Sequence, residues 1–182
     1  MKKVNLPLTN EIIKSLKAGD QILLSGTLLT ARDAAHKKMI EHIERGEKLP
    51  FEIKGQIIYY TGPCPARPGK IIGPAGPTTS GRMDTYTPKL LDLGLIGMIG
   101  KGNRNDDVVK AIKRNEGVYF GTVGGAGALI SKCITSERIL AWTELGAEAV
   151  REIEVVDFPA FVLIDYLGNN LYEINREKYK RM

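Results

Sequence analysis

Three stretches of this sequence carry side chains able to hold an anion. In LLTARDAAH, Thr30 stands three residues before Asp33, the spacing of a capping box that opens a helix. That spacing puts Arg32 in the first turn, where a cation is disfavoured because a helix start carries partial positive charge. In GPAGPTTSGRM, residues 73–83, two Gly-Pro steps lead to Thr78, Thr79 and Ser80, then to Gly81 and Arg82 in the same kind of place. Two arginines set against a helix dipole point to an absent anion that offsets both, although at about 0.3–1 kcal/mol each the cost is one that exposed arginines tolerate. Lys101, in IGKGNRN, follows an apolar run and is flanked by glycines, so its ammonium either approaches a ligand or stays solvated. Arginine takes a carboxylate in a planar two-toothed grip and lysine adds a point charge. Three such cations suit a small dicarboxylate.

Several kinds of chemistry are missing. There is no Ser-His-Asp pattern and no carboxylate pair of clear spacing. GxxxxGK[ST] and GxGxxG are both absent; GLIGMIGKG has the wrong glycine spacing, and GTVGGAGAL, with Gly125, serves either close helix–strand packing or ligand approach. His36 lies four residues after Arg32, on the same helical face, and is either a satisfied histidine or a site-lining one. Two cysteines, Cys64 and Cys133, and two histidines make no metal site, and the cysteines read as reduced thiols of a cytoplasmic protein. The arrangement is that of half an active site, with anion grips and hydroxyls but without the group that does the hard chemistry.

The elements around these residues are legible. The 182 residues suit one domain, and 43% hydrophobic content supplies a core. Short helices are expected over 10–17 and 31–45, and strands over QILLSG (21–26), QIIYYTG (56–62), LIGMIG (95–100) and VYFGTV (118–123). Thr87 and Pro88 read as an N-cap with proline behind it, and Asn105 or Asp106 as a second cap. The C-terminal part reads as β-rich: VREIEVV, then FVLIDY and LYEI joined by LGNN as a hairpin, with residues 176–182 a basic tail. The alternation of strand, loop and helix predicts an α/β fold with a partly parallel sheet, in which ligands gather beyond the carboxyl ends of strands. Every glycine-rich loop above lies at such an end.

The net charge of +5 and pI of 9.1 are a mild basic excess, compatible with an acidic substrate or partner. No basic run is interleaved with aromatics, which argues against nucleic acid. The charged start, broken by Pro7, is not a signal peptide, and no apolar run approaches the ~20 residues of a membrane span.

Taken together, GTLLTARDAAHKKM, YYTGPCPARPGKIIGPAGPTTSGRMD, IGKGNRN, GGAGAL and EVVDFPAFVLIDYLGN resemble the β subunit of class I fumarate hydratase and L(+)-tartrate dehydratase, which in single-chain relatives is the C-terminal domain. The resemblance covers nearly the whole chain, 1–182, as one domain. It implies a swivelling β/β/α domain of three layers around a mixed sheet. It implies reversible hydration of fumarate to L-malate, or dehydration of tartrate to oxaloacetate, in a hetero-oligomer in which β chains can also touch. A 4Fe-4S cluster is then held by cysteines of the partner α subunit and not by this chain. Within this sequence the resemblance marks Arg32, Arg82 and Lys101, with Thr79, as substrate-binding, and Thr78 as the hydroxyl that handles the proton at the substrate carbon. Asp33, His36 and Gly125 stand behind them. A stand-alone anion- or nucleotide-binding module built on the same loops is the alternative.

Overall fold

The computed structural model describes residues 1–180. Strand β1 (Lys2–Asn5) and helix α1 (Asn10–Ser15) lead into β2 (Gln21–Thr30), α2 (Asp33–Glu44) and β3 (Ile57–Tyr59). After a long loop and a 3-10 turn at Ser80–Met83 come α3 (Thr87–Asp92), β4 (Gly97–Gly100), α4 (Asp106–Arg114), β5 (Val118–Gly121) and α5 (Gly127–Ile130). The chain ends with β6 (Ile134–Ala141), a 3-10 stretch at Thr143–Glu148, β7 (Val150–Ile164) and α6 (Leu171–Tyr179).

The predicted α/β fold with a mixed, partly parallel sheet is present. β1 to β5 run parallel, and β7 runs antiparallel to β5, β6 and β2. The pairing of β7 with both β2 and β5 turns the sheet back on itself, as in a barrel. Alternate residues feed two cores. Leu24, Tyr59, Ile99 and Phe120 face one with Phe158, while Ile58, Tyr60, Met98 and Tyr119 face the other, beneath α2, α3 and α4. The helices dock through buried residues at helical spacing, such as Ala35 and Met39 of α2 and Val108, Ala111 and Ile112 of α4.

Asn105 caps α4 as expected, its Oδ1 accepting from Val108 N at 2.9 Å. Four expectations need correction. Thr30 does not cap α2, because it is the paired last residue of β2, next to Tyr59 and Arg151; the cap position falls to Arg32. Thr87 is the first residue of α3 and not its cap, its hydroxyl donating to Met83 O at 2.9 Å. VREIEVV and FVLIDY are one strand, β7, which passes through Pro159 with a register shift opposite Gly26 and a positive φ of 51° at Asp157. LYEI is the start of α6, not a strand. The Asp165 carboxylate closes the preceding turn by accepting from Leu167 N and Asn169 N, and Asn170 then caps the helix through Tyr172 N at 3.0 Å. Residues 176–179 of the expected basic tail lie in α6; 181 and 182 lie outside the described residues.

No helix among the described residues is long and apolar enough to cross a membrane.

Candidate functional site at the carboxyl ends of the parallel strands

The predicted residues follow the ends of four adjacent strands. Arg32 and Asp33 follow β2, Thr78 to Arg82 belong to the loops after β3, Lys101 follows β4 and Gly125 follows β5. The strands are parallel neighbours, so all four loops emerge on one side.

Asp33 joins the two arginines. Its Oδ1 lies 2.8 Å from Arg82 Nε and its Oδ2 3.3 Å from Arg32 Nε. Glu148, from the 3-10 stretch before β7, lies 3.5 Å from Arg32 Nε through Oε1 and accepts from Ala34 N at 2.7 Å through Oε2. The positive start of α2 is therefore met by a carboxylate of the chain itself, 114 residues away in sequence. Arg82 lies in the short 3-10 turn and not at the start of α3, so the dipole argument for it does not hold; its position is set by Asp33. Both carboxylates take the Nε edges, which leaves Nη groups to grip an incoming anion. Arg32 lies over Gly62, where a β-carbon would stand 3.0 Å from its Nη1, so a side chain there would displace the guanidinium.

Backbone bonds lock the threonine loop to the lysine loop. Thr78 N donates to Tyr60 O at 2.7 Å, Lys101 N to Thr78 O at 3.3 Å and Ser80 N to Lys101 O at 2.8 Å, an isolated parallel bridge between Thr79 and Lys101. The Lys101 side chain runs back over Gly124, its Nζ 3.6 Å from where a β-carbon would sit. Gly125 is exposed at φ 82° in the turn before α5, where a β-carbon would meet nothing within 4 Å. Thr79, Arg82 and Lys101 are exposed and Thr78 half-buried, as an open binding surface requires.

Beneath this surface lies a buried arginine that the sequence reading passed over. Arg104 is 4% exposed; its Nε donates to Asp84 Oδ1 at 2.6 Å and its Nη2 to Thr87 Oγ1 at 2.7 Å. The guanidinium lies between the Tyr60 and Tyr119 rings, 5.4 and 5.0 Å from their centroids. Tyr119 OH bonds Ser80 Oγ and Gly102 O, both at 2.8 Å, and so ties the two loops together. Gly100 is required here, because a β-carbon would fall 1.9 Å from Ser80 Oγ. The signal was in the sequence, since Arg104 stands in GNRN and Asp84 in GRMD, but nothing in the spacing says that they meet.

His36 is fully buried on α2, edge-on to Tyr60 at 5.2 Å, with Nδ1 2.9 Å from Arg32 O. It is thus bonded to the backbone of Arg32, one turn earlier at the start of the same helix. Burial pushes its pKa down to about 4; the bond to Arg32 O and the charge of Asp33 act upward and Arg104 downward. The unfolded chain takes up this proton near 6.5 and the native protein only near 4, so stability is full above that range and falls as pH drops through it. The loss reaches about 3 kcal/mol, two and a half pKa units at 1.36 kcal/mol each. Urea titrations at pH 7 and pH 4.5 check this: His36→Asn, which can keep the bond to Arg32 O, should lose less stability between the two pH values than the native chain. Equal losses would remove His36 as the cause.

Among the described residues no group of three or more His, Cys, Asp or Glu side chains is arranged to hold a metal ion. Cys64 is exposed in the loop after β3 and Cys133 half-buried before β6. These donors do not fit an iron–sulfur cluster.

Over 175 residues the chain is 41% identical to the aerobic class I fumarate hydratase of Salmonella typhimurium, covering 93% of this chain and 30% of that protein. It is 44% identical over 156 residues to fumarate hydratase 2 of Leishmania major, covering 85% of this chain and 28% of that one. Against a putative L(+)-tartrate dehydratase subunit beta of Methanocaldococcus jannaschii the identity is 36% over 182 residues, with 96% and 93% covered. The chain thus spans less than a third of the fumarate hydratases and nearly all of the β subunit. The model of the fumarase C-terminus matches residues 1–175, and the chain belongs to that family.

Proposed function

We propose that this chain is the β subunit of an iron–sulfur-dependent hydro-lyase that interconverts fumarate and L-malate, or dehydrates L-tartrate to oxaloacetate. It works in the cytoplasm as one C-terminal-type domain over 1–182, the swivelling three-layer unit of its family. The observation that carries the reading is the Arg32–Asp33–Arg82 cluster together with the Thr79–Lys101 bridge: three cations on loops that follow neighbouring parallel strands. A 4Fe-4S cluster would be held by cysteines of the α subunit and not by this chain, and when bound would supply Lewis-acid chemistry.

The part of this chain is positional and electrostatic. Arg32 and Arg82 grip the substrate carboxylates through their Nη edges, and Lys101 and Thr79 complete the hold. These cations stabilise the negative charge that develops as the C–H bond breaks. Thr78 offers its hydroxyl at the reacting carbon. A threonine is a weak base by itself and acts there only with activation by the neighbouring cations. Thr78→Val is expected to lower kcat by about 10²-fold or more with KM little changed if the hydroxyl moves the proton; a rise in KM alone assigns it to binding.

The reading is tested by co-expression with a candidate α subunit and anaerobic assay on fumarate, malate and tartrate. The pair should be active on at least one acid and the isolated chain on none. Tight binding of a nucleotide by the isolated chain, with no activity in the pair, would favour a stand-alone anion-binding module instead.

A further inference from the structure

A cleft of about 680 Å³ opens between the proline-rich loop after β3 and the segment around α5. Its floor is aliphatic, with Ile72 and Ile134 buried and Ile71 exposed, and its rim carries Arg67, Lys70 and Lys132. None of the residues that line it is acidic. Elsewhere on the molecule lysines and arginines pair repeatedly with carboxylates, as in Arg114–Asp92 and Arg138–Glu152, so a cluster of rim cations without a lining acid stands out.

The surface around the cleft is unusually apolar for an exposed loop. Leu129, next to the lining residue Ala128, is 65% exposed, and Val123, in the loop that leads from β5 to α5, is 58% exposed. Both loops continue directly into the cationic site. Ala75 N donates to Gly127 O at 3.1 Å, and Gly76 packs on Gly127 three residues before Thr79, while Gly124 lies against the Lys101 ammonium. Apolar side chains exposed beside a binding site, within a basic rim, have the composition of a protein-docking surface. Nucleic acid would instead call for a longer basic stripe with stacking aromatics, and no aromatic residue lines this cleft.

We propose that this cleft receives an acidic segment, anchored by an aliphatic or aromatic side chain, of the subunit that completes the active site. The proposal rests on the function argued above. The occupant follows from three observations: the uncompensated positive rim, the continuity with the substrate-binding loops, and the large share of the single-chain relatives that lies outside the matched region. Docking here would hold the Thr78 and Lys101 loops against the partner, so assembly and completion of the site would be one event.

The test uses the full chain and a candidate α subunit from the same source, with the Kd read by sedimentation and the activity by anaerobic assay. Lys70→Glu combined with Lys132→Glu, and separately Leu129→Asp, should each weaken association at least tenfold. Raised salt should weaken the native pair and affect the charge-reversed pair less. All three positions are exposed, so thermal unfolding should match the native chain and exclude misfolding. Lys37→Glu and Lys110→Glu, exposed on α2 and α4, should change the Kd less than twofold. If the native chain binds and activates the α subunit while the cleft variants bind equally well, the docking assignment is overturned and the function stands. If the native chain neither binds nor activates it, both fall together.

Discussion

Arg82→Ala should lower kcat/KM of the assembled enzyme about 10²–10³-fold, roughly 3–4 kcal/mol of lost transition-state stabilisation. On the proposed function, the substitution removes one of the two guanidinium forks that grip the substrate. The same change should barely touch stability. The Arg82 side chain is about half exposed, and its pairing with Asp33 is a partly solvated ion pair worth about 0–1 kcal/mol. Arg82→Lys should recover only a small part of the activity, because an ammonium supplies charge without the planar two-point grip. Steady-state kinetics beside a thermal melt separate the outcomes: full activity in Arg82→Ala would remove the carboxylate assignment, and a collapsed melting curve would make the residue structural. Asp33 qualifies the expectation in a useful way. Because it holds Arg32 as well as Arg82, the loss of Arg82 also loosens its counterpart, so the two arginine substitutions should not be additive.

The second large effect is on folding. Arg104→Ala should destabilise the chain by about 3–5 kcal/mol, because it leaves the Asp84 carboxylate in the core without its cation. Asp84 is itself only 8% exposed, and its other oxygen accepts from Asn105 N at 2.7 Å at the cap of α4. Loss of the guanidinium also empties the space between the Tyr60 and Tyr119 rings. Urea unfolding of the isolated chain measures this without any partner. Arg104→Lys should lie between the two, keeping the charge near Asp84 but losing the simultaneous bond to Thr87. A change below about 1 kcal/mol in Arg104→Ala would show that the pair contributes little net stability, as buried ion pairs sometimes do.

Local pattern in this chain carries far. Leu90, Leu91, Val108, Ala111 and Ile112 announce two helices by spacing, and each of the four apolar runs read as strands holds one, because a buried strand needs apolar side chains on both faces. The loops that hold the candidate site were also legible: the Arg-Asp pair, the two threonines and the glycine-flanked lysine stand out by residue type and order, and the resemblance gave the threonines their roles. Pattern fails where the deciding contact is distant. Thr30 has the sequence of a cap but is claimed by the ladder with β3 and β7. LYEI has β-favouring residues but follows Asn170, whose side chain fills the capping role, so it coils. The strand β6 is half exposed and has Thr, Ser, Glu and Arg in its middle, without the continuous apolar signal that identified the others.

The sequence by itself determined the alternation of strands and helices from β2 to β5, the cations and hydroxyls available to the candidate site and, through its ordered motifs, the family. Those are properties of residue type and near-neighbour spacing. Only the tertiary structure decided that one Asp33 carboxylate holds both arginines, that Glu148 meets the start of α2, and that Arg104 is a buried prop and not a fourth surface cation. Each of these joins groups far apart in sequence. Their energies depend on burial and on distances of a few ångströms, which spacing along the chain does not encode.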